Sequence, residues 1–508
     1  MEDNFSELEL IRLEKIKKLQ KQGIDPFPIH SEQSMTAREA IAAFEASEKQ
    51  TPPGEVKNVT LAGRIRGMRP MGKLVFIHIE DRSGRIQLFF RINELGEDRV
   101  KQLIELFDLG DFIQAGGELI RTRTGEITLL VRDFKLLSKA ITPLPAAKDE
   151  VVEGEVIRHA SLTDPETRYR QRYADLAVNP EVREIFRTRA KVIRGLREFL
   201  DARDFLEVET PVLQPVYGGA AARPFITHHN QLKQDLYLRI SFELYLKRLL
   251  VGGLERVYEI GRDFRNEGVS FKHNPEFTML EFYMAYADAE KIMALTEEMV
   301  SSVAIAVKGS AIIEFAGQTI DLTPPWKRVT LRDALLEATG IDINQQTDAE
   351  SLADAMQSKG MQVKPGTQRG KLIDGLLGDH LEPKLIQPTF LYDYPRDISP
   401  LAKAKSGDPD TVDRFEGFVG GFELCNAFSE LNDPLDQEQR FIEMGRSYEN
   451  DDEQRHPLDE DYLKAMRYGM PPAGGFGMGI DRLAMLLTGN RNLREVILFP
   501  HLRKTEEE

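Results

Sequence analysis

The residues best equipped for chemistry lie close together between Leu254 and Tyr286, where the chain reads LERVYEIGRDFRNEGVSFKHNPEFTMLEFYMAY. Period-two alternation on both sides of a charged segment predicts two antiparallel strands joined by a loop over about residues 265–274. On the first strand Val257, Glu259, Asp263 and Arg265 share one parity, and on the second Phe277, Met279, Glu281 and Tyr283 do the same. A guanidinium, carboxylates, a phenol and an aromatic ring then approach one side of a sheet. The guanidinium fork can hold a carboxylate or a phosphate and neutralise its charge. The competing reading is a solvated face with ordinary salt bridges, yet exposed faces seldom mix Phe, Met and Tyr so closely with charge.

Two later stretches carry similar residue types. In FELCNAFSEL, Asn426, Phe428 and Glu430 alternate onto one face, while Glu423 is out of phase and needs a twist or bulge to join them. Glu416 and Glu423 are hard-cation ligands if the fold makes them converge. Cys425 reads as a small buried residue, with no adjacent His to activate it. Residues 473–487, AGGFGMGIDRLAMLL, form a Gly-rich strand and then a helix, with Asp481 as its candidate cap and Arg482 near its start. No G-x-G-x-x-G follows a strand, which steers the fold away from a doubly wound sheet. Gly218 and Gly219 predict a turn, and Glu243 stands in the first turn of a helix over about 242–251, where it suits the dipole.

These segments need a framework. A helix over about 180–203 carries a broad apolar stripe, from Val182 and Ile185 to Leu196 and Phe199, which requires a partner surface on its own domain or on a second subunit. Arg168, Arg170 and Arg172 before it are either a phosphate-binding row or a solvated face. Another helix is expected over 287–310, a hairpin over 311–322 and a mainly helical insertion near 326–384.

Ahead of all this, residues 59–140 give five short strands with a helix between the third and fourth, the element order of an OB barrel. Such barrels stack single-stranded bases on aromatic rings. Phe76, taken alone, reads as barrel core, while Gln87 offers a donor and an acceptor to a base edge. Residues 1–58 form a helical extension that either lies on its own domain or touches RNA, and 141–162 are a Pro-containing, charged linker. The formal charge of −16 weakly disfavours a polyanionic partner, but residues 60–140 hold 14 Lys and Arg against 11 Asp and Glu, so a polyanion would dock there. One Cys excludes a disulfide framework, and no apolar run is long enough for a signal or membrane helix; a cytoplasmic protein with no membrane partner is expected.

FRNEGVSFKHNPEFTMLEFYMAY resembles motif 2 of the class II aminoacyl-tRNA synthetases, in the form found in lysyl-tRNA synthetases. The helix over 180–203, with the strand ending at Pro211, resembles motif 1, and AGGFGMGIDRLAMLL resembles motif 3. KLVF and GRIQ are similar to the family's anticodon-reading barrel, whereas the 141–162 junction departs from the family pattern. The resemblance implies an α+β chain: an N-terminal OB-fold barrel, then a class II catalytic domain over 163–508 built on an antiparallel sheet with flanking helices. It implies lysine activation by ATP with Mg2+, transfer to the terminal ribose of tRNA(Lys), and a homodimer formed through motif 1.

The same resemblance distributes roles. Arg265 and Arg482 are the catalytic cations, Arg265 holding the lysine carboxylate and the α-phosphate. Gly219, through its carbonyl, and Glu243 receive the α-amino group; Glu281, Tyr283 and Glu430 receive the distal ammonium, with Asn426 and Phe428 lining the pocket. Glu267, His273, Asn274 and Phe277 position ATP, and Glu416 and Glu423 are the magnesium and nucleotide ligands. Arg69, Phe76, Gln87 and Glu126 read the anticodon. Two other readings are a ligase that attaches a lysine-like amino acid to a protein, and an inactive RNA-binding regulator. The barrel argues against the first, and the presence of Arg265, Arg482 and the paired glutamates against the second.

Overall fold

The computed structural model describes residues 5–50, 54–145, 148–152, 155–159, 162–447 and 457–503. Two units divide the chain, 1–165 with 173–179 and 166–172 with 180–508. In the first, the helices Glu7–Lys21 and Ala37–Glu48 both open on capping boxes, Ser6 with Glu9 and Thr36 with Glu39, which satisfy otherwise orphaned backbone donors. Five strands follow: β1 (Val59–Met71), β2 (Leu74–Glu80), β3 (Arg85–Arg91), β4 (Phe112–Arg121) and β5 (Ile127–Ser138). They close into a barrel of order β1-β2-β3-β5-β4, with the helix Glu97–Leu106 between β3 and β4. Alternation sends Val75, Ile77 and Ile79 into the barrel core. The N-terminal helix lies on this barrel: Leu19 is buried in its core cluster, and Arg12 donates to the carbonyls of Leu109 and Ala140 at 3.1 and 2.8 Å. The linker holds a hairpin, β6 (Lys148–Val152) and β7 (Glu155–His159), whose paired strands carry the β-branched residues Val151, Val152, Val156 and Ile157.

The second unit is built on one large sheet. Its strands in chain order are β8 (Leu206–Glu207), β9 (Leu213–Gln214), β10 (Ile226–His229), β11 (Gln234–Leu238), β12 (Arg256–Phe264), β13 (Glu276–Ala285), β14 (Ile312–Phe315), β15 (Gln318–Asp321), β16 (Lys327–Thr330), β17 (Thr389–Pro395), β18 (Ala404–Lys405), β19 (Asp408–Val419), β20 (Phe422–Ser429) and β21 (Ala473–Gly479). The large sheet runs β16-β17-β19-β20-β21-β13-β12-β8 with β18 beside β19, antiparallel except for the pairs at its two edges, β16–β17 and β12–β8. Strands β9 to β11 form a separate small sheet, and β14 with β15 a hairpin.

One side of the large sheet is apolar and the other is the site. Leu280 and Phe282 of β13, Phe476 and Met478 of β21, and Cys425 and Ala427 of β20 share a buried core with Leu196, Val300 and Leu483 from the helices Pro180–Asp201, Ala289–Lys308 and Ile480–Thr488. The residues between them, Glu281, Gly475, Gly477, Asn426 and Phe428, face the other way. Of the apolar stripe on Pro180–Asp201, Val192, Leu196, Phe199 and Leu200 are buried in the core of its own unit. Helices Leu331–Thr339, Ala349–Ser358 and Arg369–Leu376 have their own core around Leu335, Leu352 and Ile373.

Candidate active site and nucleic-acid face

The register of β12 against β13 sets Glu259 opposite Glu281 and Asp263 opposite Phe277, as the shared parities predict. Above this pair of strands, and above β20 and β21, lies a cavity of about 310 Å³. Nine of the candidate residues line it: Gly219, Glu243, Arg265, Glu281, Tyr283, Glu416, Glu423, Asn426 and Phe428. Glu423 joins them through an irregularity. Gly417 pairs with Cys425 and Phe418 with Glu423, so Leu424 is the extra residue of a bulge that turns Glu423 back to the site face.

At one end the walls are acidic. Glu281 accepts from Ser241 Oγ at 2.8 Å and from Tyr283 Oη at 3.1 Å. Burial, reinforced by Glu243, pushes its carboxyl up to about 7. Burial also raises Glu243 and Glu430, although Lys247 pulls the other way on both. Lys247 Nζ sits 2.5 Å from Glu243 Oε1 and is paired with Glu430. Glu430 is buried behind the wall and does not line the cavity. A Cβ at Gly475 would collide with Glu430 Oε1 and with the Tyr283 ring, which explains why this central strand is Gly-rich without being a nucleotide loop. Gly219, at φ +89°, closes the same end; a side chain there would run into Ser241 and Glu243.

The other end is ionic in both senses. Arg265 lies over the Phe277 ring, 5.1 Å from its centroid. Arg414 donates to Asn426 Oδ1 at 2.9 Å and to Glu416 Oε1 at 2.6 Å, while Tyr394 Oη donates to the other Glu416 oxygen at 2.8 Å. Burial pushes Glu416 up to about 7, against the pull of Arg414 and with the push of Glu423. Arg482 donates to the carbonyl and the carboxylate of Glu423, at 2.7 and 3.0 Å, and holds that carboxyl below its ordinary value in spite of burial. Burial, with Arg482 and Lys272, pushes His273 down to about 4, so its imidazole is neutral. Glu267 is exposed on the loop. Asn274 is buried and committed to backbone, donating to the Glu276 carbonyl at 2.6 Å and accepting from His501 N–H. Among the described residues no three His, Cys, Asp or Glu are arranged to hold a metal. Two mutually repelling carboxylates do fit a divalent cation shared with substrate phosphates, the usual mode for Mg2+.

The barrel gathers the second candidate set. Phe76 is half-buried and points away from the barrel core, stacked on Phe89 with centroids 4.5 Å apart and planes 3° from parallel. This corrects the core reading of Phe76: Val75, Ile77 and Ile79 occupy the inward parity. Arg69 is its cross-strand partner. Beside it, Glu126 accepts from Gln87 Nε2 at 2.7 Å and contacts His78 Nε2 at 2.9 Å, and Thr128 Oγ1 donates to Gln87 Oε1 at 2.9 Å.

Residues 164–503 match the family described as tRNA synthetases class II (D, K and N), and residues 59–137 match the OB-fold nucleic acid binding domain. The chain belongs to the class II tRNA synthetases. Proteins named lysine–tRNA ligase from Roseiflexus castenholzii, Syntrophomonas wolfei and Chloroflexus aurantiacus are 51%, 50% and 50% identical to it over 505 residues. Each match covers 99% of this chain and 99 to 100% of the relative.

Two expectations for the synthetase are overturned. Asp481 does not cap the helix Ile480–Thr488, whose N-cap is Gly479; its carboxylate accepts from Thr278 N–H at 2.9 Å and pairs with Arg189, because the end of β13 leaves that donor facing it. Arg168, Arg170 and Arg172 are neither a phosphate row nor a solvated face. Arg168 pairs with Glu495 and Arg170 with Glu166, and the buried Arg172 donates to the carbonyls of Arg494 and Leu498. Sequence reasoning also passed over Arg414, Tyr394, Lys247 and His78. Lys247 left a local signal in its i,i+4 spacing from Glu243, and Arg414 and His78 left another in the strand parity they share with Glu416 and Phe76.

Proposed function

We propose that this synthetase is a lysine–tRNA ligase, and the observation that carries the reading is charge. Three buried carboxylates, Glu243, Glu281 and Glu430, are served by a single buried ammonium, Lys247, which pairs with Glu243 and Glu430, so that once ionised they exceed the resident positive charge by as much as the two ammonium groups of lysine supply. The α-amino group binds Glu243 and the Gly219 carbonyl; the distal ammonium binds Glu281 with Tyr283, and Glu430, behind Gly475, supplies a further counter-charge to it. Arg265 holds the lysine carboxylate for attack on the α-phosphorus of ATP and neutralises the charge that builds there. Phe277 stacks on adenine, with His273 and Glu267 beside the nucleotide and Arg482 on the outgoing pyrophosphate. Asn274 acts by fixing the loop. Glu416 and Glu423 would hold Mg2+ jointly with the phosphates, and a bound ion supplies charge neutralisation there. The lysyl group of the adenylate then passes to the terminal ribose hydroxyl of tRNA(Lys).

The barrel reads the anticodon. Phe76 stacks on a base, and Gln87, Glu126 and Arg69 contact its edge or backbone. A homodimer is supported by Leu206, Val212, Leu213 and Ile226, apolar side chains exposed on and beside the motif 1 strand. No helix among the described residues is long and apolar enough to cross a membrane, and a protein that charges tRNA works in the cytoplasm. The domains follow these roles: a helical extension over 1–58, the anticodon barrel over 59–140, a linker over 141–162 and the catalytic and dimerisation domain over 163–508. ATP–pyrophosphate exchange with each standard amino acid tests the reading. Lysine should give the strongest exchange and lysine-accepting tRNA should become charged; exchange driven by another amino acid would reject the lysine pocket.

A further inference from the structure

Lys247 touches two carboxylates that the reaction needs and is itself walled off from the cavity. It stands one turn beyond Glu243 on the helix Glu243–Val251, is 0% exposed, and does not line the cavity. Its ammonium bridges Glu243 Oε1, at 2.5 Å, and Glu430 Oε2, with the Phe428 ring centroid 5.5 Å away. On the lysine reading Glu243 serves the α-amino group and Glu430 the distal ammonium, so one buried cation is shared between the counter-charges of both groups.

We infer that Lys247 is a resident counter-ion of the amino-acid pocket, a positioning residue that keeps Glu243 and Glu430 ionised and oriented for a substrate with two ammonium groups. The inference rests on the lysine reading above. Burying a carboxylate among other carboxylates favours uptake of a proton, and a protonated Glu430 is no counter-charge for an incoming ammonium. Lys247 opposes that uptake at Glu430 and Glu243 together. It does so without saturating the pocket: Glu430 Oε1 has no hydrogen-bond partner among the described residues and lies against Gly475, a cavity-lining residue with no side chain. With Lys247 in place the three carboxylates, once ionised, exceed the resident cation by two negative charges. Lysine balances that excess, whereas an amino acid with a neutral side chain leaves one buried carboxylate uncompensated. A mere staple between helix and sheet would need neither the second carboxylate nor the free oxygen.

The test uses the full-length protein and lysine-dependent ATP–pyrophosphate exchange, with lysine and ATP varied separately. Lys247→Met, similar in length and without charge, should raise KM for lysine by about tenfold to a hundredfold, one to two pKa units of lost carboxylate ionisation. KM for ATP should stay near wild type, while the Tm falls modestly because two buried carboxylates lose their counter-ion. Lys247→Gln keeps a donor for the carboxylates and is the second variant should the Met protein fail to fold; it should show the same lysine-specific loss. Because Lys247 acts through Glu430 and Glu243 together, adding Lys247→Met to Glu430→Gln should raise KM for lysine by clearly less than Lys247→Met does in the wild type, the remainder being the share that runs through Glu243. Wild-type lysine dependence in both Lys247 variants overturns the inference, and so does full additivity in the double variant. Parallel rises in KM for lysine and ATP with a lowered Tm would make Lys247 a structural staple. Absence of lysine-dependent exchange in the wild type would instead remove the lysine reading itself, which the same assay reports first.

Discussion

The barrel face and the catalytic cavity are both built on sheets, yet one is complete without a ligand and the other is not. On the barrel, Gln87, Glu126, His78 and Thr128 satisfy one another and Phe76 already rests on Phe89. In the cavity, Glu281 and Glu416 are each pushed up to about 7, and behind its wall Glu430 keeps an oxygen without a hydrogen-bond partner among the described residues. A satisfied, half-exposed face recognises by shape and stacking, and losing one contact costs little beyond that contact. A buried, charge-deficient cavity recognises by completing itself, and a wrong ligand leaves a charge unpaired in low dielectric. On the proposed reading, amino-acid selection belongs to the cavity, and the barrel contributes additive affinity for RNA.

The largest effect expected from this contrast is at Glu281. Glu281→Gln keeps the volume and an acceptor but removes the charge, so KM for lysine should rise by roughly 30-fold to several thousand-fold, about 2 to 5 kcal/mol, with ATP dependence nearly unchanged. Near-identical lysine dependence in the exchange assay would break the claim that the cavity is completed by the substrate. A smaller, separable effect is expected at the barrel. Phe76→Ala should weaken binding of an anticodon stem-loop by about 1 to 3 kcal/mol and leave tRNA-independent exchange intact. A large fall in exchange with unchanged RNA affinity would show that the two regions are coupled and not independent.

The smallest effect is one of pH. Folding raises the Glu281 carboxyl from its ordinary 4.5 to about 7, so the folded state binds that proton more tightly than the unfolded chain. The associated stability is fully present below about 4.5 and is lost as pH rises toward 7. Without lysine, the Tm of Glu281→Gln should therefore improve relative to wild type between pH 5 and pH 8, by roughly a degree or two in a chain this long. Saturating lysine should cancel the trend, because the ammonium stabilises the ionised carboxylate. A gap that stays flat with pH would mean that Glu281 is ionised throughout and would sharpen the contrast toward Glu430.

Much of this architecture was legible locally. Period-two alternation marked β12 and β13 and set Glu259, Asp263, Glu281 and Tyr283 on one side, because side-chain direction in a strand depends only on parity. Spacing of short strands around one helix marked the barrel. The outward direction of Phe76 was within reach too: it shares parity with His78, while β-branched Val75, Ile77 and Ile79 take the other side. What alternation could not decide was which distant groups meet. The Leu424 bulge that returns Glu423 to the site exists only in the pairing of β19 with β20. Asp481 serves β13 and Arg189 instead of its own helix, and Arg172 is buried against carbonyls of residues 494 and 498. Lys247 meets Glu430 across 183 positions of chain. Parity and capping are short-range consequences of backbone geometry and can be read along the chain, but the partner of a buried charge is settled by packing, which only the folded sheet and its helices supply.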